Sequence, residues 1–209
     1  NDFLIGATLT KGKHDVMLFS DGGKAVRFDE NDVRSMGRNA RGVRGMMLEE
    51  GQSVIAMLAA PTDLPEEEQA SQPTSVLTAT ENGYGKRTPI EEYTRHGRGT
   101  KGMIAIQQSG RNGKVVAATL VHTDDEIMLI TDTGVLVRTR VSEIREMGRA
   151  TQGVTLIGLD EGSALIGMQR IADGDAEMVA EIADEPDSGT DSTNADDTDA
   201  AGTDDDTNA

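Results

Sequence analysis

Short apolar runs broken by turn residues recur along this chain. Three of them open stretches that align without a gap over 28 positions: Val16 to Val43, Val76 to Met103 and Ile127 to Val154. Each begins with a strand-like run, V-M-L-F-S, V-L-T-A-T or I-M-L-I-T, followed by a turn, D-G-G, E-N-G or D-T-G. The last turn residue is Gly23, Gly83 or Gly134. Gly-Gly and Asn-Gly favour tight hairpins, whose primed turns need positive φ. A second strand is predicted after each turn, carrying Arg27, Arg87 or Arg138 at one register. Then come M-G-R-N-A-R-G-V, H-G-R-G-T-K-G-M and M-G-R-A-T-Q-G-V, with third strands predicted from Val43, Met103 and Val154. Fourth strands are predicted at Val54–Leu58, Val115–Leu120 and Leu165–Ile171, each with a small residue between apolar ones: Ala56, Ala117 and Gly167. Phe3-Leu4-Ile5-Gly6 fits that fourth-strand pattern without three strands before it.

Four short strands per unit, repeated at this interval, predict an all-β, propeller-like array of about three blades plus one strand. A sandwich of short strands is the plainer alternative, and the gapless repeat argues against it. The repeats span about 16–59, 76–121 and 127–171, with 2–9 as the last strand of a preceding blade and 1–171 as one partial wheel. Residues 60–75 read as an inserted loop, because P-T-D-L-P-E-E-E-Q-A-S-Q-P is polar and proline-punctuated. After about Ile182 the chain has almost no apolar content, and residues 172–209 are expected to form a disordered acidic tail.

Charge refines this picture. The chain has a net charge of -17, but 14 of its 37 acidic residues lie in 172–209, which has no Lys or Arg. Residues 1–171 keep 23 acids against 20 bases, a net of -3. Within them, the aligned windows 24–44, 84–104 and 135–155 hold 15 Lys or Arg against 7 acids. Basic residues at equivalent positions of stacked repeats fall on one face or rim, the footprint of a phosphate-backbone binder. The candidate contacts are Lys24, Arg27, Arg38, Arg41, Arg44, Lys86, Arg87, Arg98, Lys101, Arg138, Arg140 and Arg149. Glycines flanking them, such as Gly37 and Gly42, would let the loops bend and present N–H groups to an anion. The alternative for any one arginine is a solvated residue paired with a neighbouring acid.

Five aromatic residues and no Trp offer no stacking platform for single-stranded bases, so duplex nucleic acid is the better match. No catalytic residue is predicted. No G-x-x-x-x-G-K-[ST] occurs, and His14, His96 and His122 lack metal-ligand spacing. Asp124-Asp125-Glu126 reads as a solvated turn, and Cys is absent. No apolar run approaches the roughly 20 residues of a bilayer span, so a cytoplasmic protein is expected. The chain begins at Asn1, which reads as a fragment of something longer.

F-S-D-G-G-K-A-V-R-F from Phe19, V-R-S-M-G-R-N-A-R-G-V-R-G-M from Val33, T-E-N-G-Y-G-K-R-T from Thr80 and I-T-D-T-G-V-L-V-R-T-R-V-S-E-I from Ile130 carry a resemblance. Over about residues 1–171 the chain resembles the C-terminal domain family of bacterial DNA gyrase A. The resemblance implies a β-pinwheel, a propeller relative of six blades that exchange strands. It implies wrapping of duplex DNA around the rim, within a type II topoisomerase that introduces negative supercoils. The implied partners are duplex DNA, the rest of gyrase A, and gyrase B in a heterotetramer. ATP and magnesium are implied on other regions of that enzyme, and no cofactor in this chain. The family's wrapping box, Q-R-R-G-G-K-G, does not occur, and its nearest cousin runs from Gly97 to Gly102. The family's DNA-cleaving tyrosine lies in a region not represented here, so Tyr84 and Tyr93 are read as packing or rim residues. A topoisomerase IV domain and a protein-interaction propeller are the alternatives.

Overall fold

The structure is a computed structural model and describes residues 3–62 and 74–171. The acidic tail and most of the inserted loop lie outside the described residues.

Each repeat starts with the hairpin that its turn residues dictate. In the first, β1 (His14–Ser20) pairs antiparallel with β2 (Lys24–Asp29), and β3 (Val54–Pro61) runs along the other side of β1. In the second, β4 (Ser75–Thr80) pairs with β5 (Tyr84–Pro89); β6 (Met103–Ile104) and β7 (Val115–Val121) follow. In the third, β8 (Glu126–Thr131) pairs with β9 (Leu136–Arg140), followed by β10 (Val154–Thr155) and β11 (Leu165–Ile171). A single 3-10 turn follows each second strand, at Glu30–Asp32, Ile90–Glu92 and Val141–Glu143.

The third strands leave their own blades. β6 completes the first sheet, order β3-β1-β2-β6, and β10 completes the second, order β10-β5-β4-β7. The third sheet has three strands, β11-β8-β9. The second and third repeats therefore each send an arm across to the blade before them, the strand exchange expected of a pinwheel. This corrects the strand expected at Val43. Among the described residues no earlier blade receives that arm, whose strand pairing is an isolated parallel bridge between Met46 and Thr100. The strand expected at Phe3–Gly6 is corrected as well: among the described residues none forms there, and Phe3, Leu4 and Leu9 are 87%, 89% and 97% exposed.

β3 and β11 both lie against β7, so the fourth strands form the inner side of the arc. The second strands and the exchanged strands form its outer edge. Beside every expected small residue the ladder slips by one residue: Phe19 pairs Ala56 while Ser20 pairs Val54, Ala79 pairs Ala117 while Thr80 pairs Val115, and Ile130 pairs Gly167 while Thr131 pairs Leu165. A repeated bulge of this kind sharpens strand twist, suited to a curved array.

The core lies between blades. One cluster holds Met17, Phe19, Val76, Tyr93 and Ala105, with Phe19 and Tyr93 edge to face at 5.9 Å. The next repeats the same positions with Leu77, Ala79, Ile127 and Ile144. Two glycines are needed where the arms cross. Gly83 has φ of 76°, and a Cβ there would lie 2.6 Å from the Ile157 carbonyl oxygen; at Gly102, φ is 75° and a Cβ would lie 2.4 Å from that of Ala25. Neither position admits a side chain.

Candidate nucleic-acid interface

The arms carry the M-G-R and H-G-R motifs, so Arg38, Arg41, Arg44, Arg98, Lys101 and Arg149 sit on loops at the outer edge, while Lys24, Arg27, Lys86, Arg87, Arg138 and Arg140 lie on β2, β5 and β9. Their hydrogen bonds sort them into three groups.

The first group locks the joints. Arg27 donates from Nη1 to the carbonyl oxygens of Ile90 and Tyr93, at 2.8 and 3.1 Å, and from Nε to Asp15 at 2.6 Å. Arg87 repeats this one joint on, donating to the Ile144 carbonyl at 2.7 Å and to the Thr123 hydroxyl at 3.2 Å. Arg98 donates to the Asp32 and Arg44 carbonyls, at 3.0 and 3.2 Å. Its equivalent, Arg149, donates to the Ile104 carbonyl at 3.1 Å, while its backbone N–H meets the Glu92 carboxylate at 3.0 Å. Lys86 is fully buried, with Nζ 2.5 Å from the carbonyl oxygens of Gly148 and Arg149. Burial lowers its pKa to about 8; Glu92 opposes the shift and Arg149 adds to it. A charge so enclosed cannot face a phosphate without opening the joint, so the structure gives Lys86 an internal role that differs from the expected contact. Arg27 and Arg87 are half-buried and similarly engaged.

The second group pairs on its own blade. Lys24 meets Glu49 at 3.1 Å, and Arg138 and Arg140 both face Glu126, the latter at 3.9 Å. These exposed pairs are weak and exchangeable for other anions.

The third group comprises Arg38, Arg41, Arg44 and Lys101. All are exposed, and among the described residues their side chains make no hydrogen bond or ion pair. Lys101 and Thr100 flank an open cleft of about 370 Å³ with His96, Gly97 and Gly102. Arg34 and Arg145 belong here as well, exposed at equivalent positions of the first and third repeats. Sequence reasoning left them out of the contact set, although the alignment that placed Arg38 and Arg149 also places them. The opposite side of each hairpin is acidic and inward-bonded. Asp21, Glu81 and Asp132 accept the backbone N–H groups of Ser53, Lys114 and Ala164, each within 3.0 Å.

The described residues hold no group of three His, Asp or Glu side chains suited to a metal ion, and no helix long and apolar enough to cross a membrane.

A three-repeat arc of exchanged strands with basic arms on its outer edge defines a DNA-gyrase-type β-propeller. The family model for the DNA gyrase C-terminal domain, beta-propeller, matches three times, over residues 14–61, 74–122 and 125–172, and the chain belongs to that family. DNA gyrase A of Pseudomonas aeruginosa is 50% identical over 183 residues, covering 86% of this chain and 19% of its own length. That of Escherichia coli is 51% identical over 172 residues, covering 82% and 18%. The chain thus spans about one fifth of the length of these relatives. Among solved structures, a DNA gyrase A C-terminal domain superposes with a TM-score of 0.67 at 30% identity, covering 77% of this chain and 51% of that one. A topoisomerase IV C-terminal domain superposes with a TM-score of 0.72 at 23% identity, covering 84% and 52%, a likeness of fold.

Proposed function

We propose that this chain is the C-terminal part of a gyrase A polypeptide and that its outer edge binds duplex DNA through the phosphate backbone, bending the duplex around the arc. The observation that carries this reading is the third group of basic side chains. Arg38, Arg41, Arg44 and Lys101 stand exposed on the loops that cross the perimeter, with no partner among the described residues. An arginine fork offers a phosphate two hydrogen bonds, and glycine-flanked loops let the backbone approach closely. Backbone contacts of this kind carry no base sequence and tolerate bending.

In this reading the chain performs no bond chemistry. Strand cleavage and ATP hydrolysis with magnesium belong to the rest of gyrase A and to gyrase B, and the bent duplex is what they act upon to introduce negative supercoils. Identity near 50% to gyrase A relatives favours gyrase over topoisomerase IV.

Titrating a duplex with the chain at several salt concentrations tests the binding, and ligating nicked circles on the bound protein tests the bending. Binding that weakens steeply with salt, without sequence preference, is expected, together with a shift in linking number of the closed circles. Salt-independent binding, or preference for single strands, would overturn the proposal.

A further inference from the structure

The loops that lead into the fourth strands differ in charge from repeat to repeat. In the first and third repeats they read L-E-E-G-Q-S from Leu48 and L-D-E-G-S-A from Leu159. In the second the loop reads Q-S-G-R-N-G-K from Gln108, with two bases and no acid. It is also one residue longer between matched bonds. The Met47 and Gln107 N–H groups donate to the Thr100 and Thr151 carbonyls, and the Ser53 and Lys114 carbonyls accept from Asp21 and Glu81, so 47–53 is matched by 107–114. Asn112 fixes the longer loop. Its side chain is fully buried, donates to the Gln107 and Gln152 carbonyls at 2.9 and 3.0 Å, and accepts from the Ser109 N–H at 2.8 Å. Gln152 belongs to the third repeat's arm, shortly after Arg149, so the loop is fastened to a basic arm of the outer edge. Beside Asn112, the exposed Arg111 stacks on the ring of Tyr84, its guanidinium carbon 4.6 Å from the centroid. Tyr84 lies opposite Thr155, where the same arm adds to β5.

We infer that Arg111 is a further contact for the phosphate backbone, outside the arms, so that a duplex on the outer edge leans over the hairpin side at the second repeat and not at the first or third. Stacking on an aromatic face orients the guanidinium while its N–H donors, which lie in its plane, stay open to a second partner. Among the described residues the Arg111 side chain makes no hydrogen bond or ion pair, whereas Lys114 faces Asp21 at 3.6 Å. A planar fork held in this way loses little further freedom on meeting a phosphate with two hydrogen bonds. The matching loops would repel the same phosphates, through Glu49 and Glu50 in the first repeat and Asp160 and Glu161 in the third. A brace for Tyr84 alone would not require a loop stripped of the acids its counterparts carry. The inference rests on the reading that the outer edge binds duplex DNA.

Duplex titrations of the whole 209-residue chain across salt concentrations test it, with Lys101→Gln run alongside. Arg111→Gln should lower the slope of log affinity against log salt by about 0.9, and Arg111→Lys should restore it, since a point charge also serves a phosphate. The chain has no cysteine, so Arg111→Cys and Glu161→Cys can each carry one photocrosslinker. Adducts with the duplex are expected from position 111 and not from position 161. An Arg111→Gln chain that keeps the parent's slope while Lys101→Gln loses it overturns this inference and leaves the outer-edge reading standing. So does a loss of slope that Arg111→Lys fails to restore, which would make Arg111 a brace for its loop, or cross-linking from 161 as strong as from 111. Salt-independent binding by the parent chain overturns both.

Discussion

Asp15 and Arg95 form an ion pair at 2.6 Å across the first joint, and at the same place in the second joint Ser75 meets Glu146 at 3.1 Å. Strand and arm positions have changed chemistry together. An acid on the strand faces a base on the arm, or a hydroxyl on the strand faces an acid. Exchanging the arms would set Asp15 against Glu146, two carboxylates at a buried point. The first joint therefore admits its own arm and repels its neighbour's.

Arg95→Glu should accordingly lower stability by about 1–3 kcal/mol, since Asp15 is fully buried although Arg95 is 46% exposed. Adding Asp15→Ser should recover part of the loss, because the double variant rebuilds the second joint's hydroxyl–carboxylate pair. Urea-unfolding midpoints check this. A double variant no more stable than Arg95→Glu would show that the two positions are not coupled.

The repeat, its four-strand rhythm and the turn glycines are legible because each is local, written within a few residues of the structure it causes. Strand exchange is not. The Met103–Ile104 segment has the same apolar pattern whether it pairs with β2 or with its own blade, and only tertiary packing decides. That is why Val43 reads as a strand in sequence and has no partner in space. The interface was legible as a set of positions but not as a set of roles. Arg27 and Arg41 look alike in the sequence, yet one is bonded to the Ile90 and Tyr93 carbonyls and the other faces solvent. Lys86 stands where the other repeats have Val26 and Val137, a departure that hinted at burial.

Lys86 predicts a pH dependence. Its folded pKa, about 8, lies below the 10.5 of an unperturbed lysine. Between those values the unfolded chain binds more protons than the folded one, so this group makes stability rise with pH. Below pH 8 the buried charge costs the fold roughly 1–3 kcal/mol, and that cost fades as the amine deprotonates. The stability of the native chain relative to Lys86→Met should therefore increase from about pH 7.5 to about 10. Parallel curves for the two proteins would place the Lys86 ammonium in water.

Gly42 and Gly102 share a positive φ, 78° and 75°, but only Gly102 has a carbonyl against it. Alanine at either position bears the cost of the left-handed backbone, about 1 kcal/mol. At Gly102 it also collides with Ala25, so Gly102→Ala should be less stable than Gly42→Ala by at least about 1 kcal/mol. Thermal melts of the two variants make the comparison. Equal losses would mean that the arm shifts to make room.

The basic residues should separate in a DNA titration. Arg41→Gln and Lys101→Gln remove exposed charges with no partner among the described residues, so each should leave the melting temperature unchanged. If each meets one phosphate, the slope of log affinity against log salt falls by about 0.9 per residue. Arg27→Gln should behave in the opposite way. It strips Asp15 of one of its two cationic partners and removes donors to Ile90 and Tyr93, destabilising the joint by about 2–4 kcal/mol. Below its melting temperature, the folded variant should keep the parent's salt slope. The contrast matters because a basic perimeter alone does not say which charges are free to meet DNA. An Arg27→Gln protein that melts like its parent while losing salt slope would mean that Arg27 serves the duplex and not the joint. An Arg41→Gln protein with an unchanged slope would remove Arg41 from the duplex path.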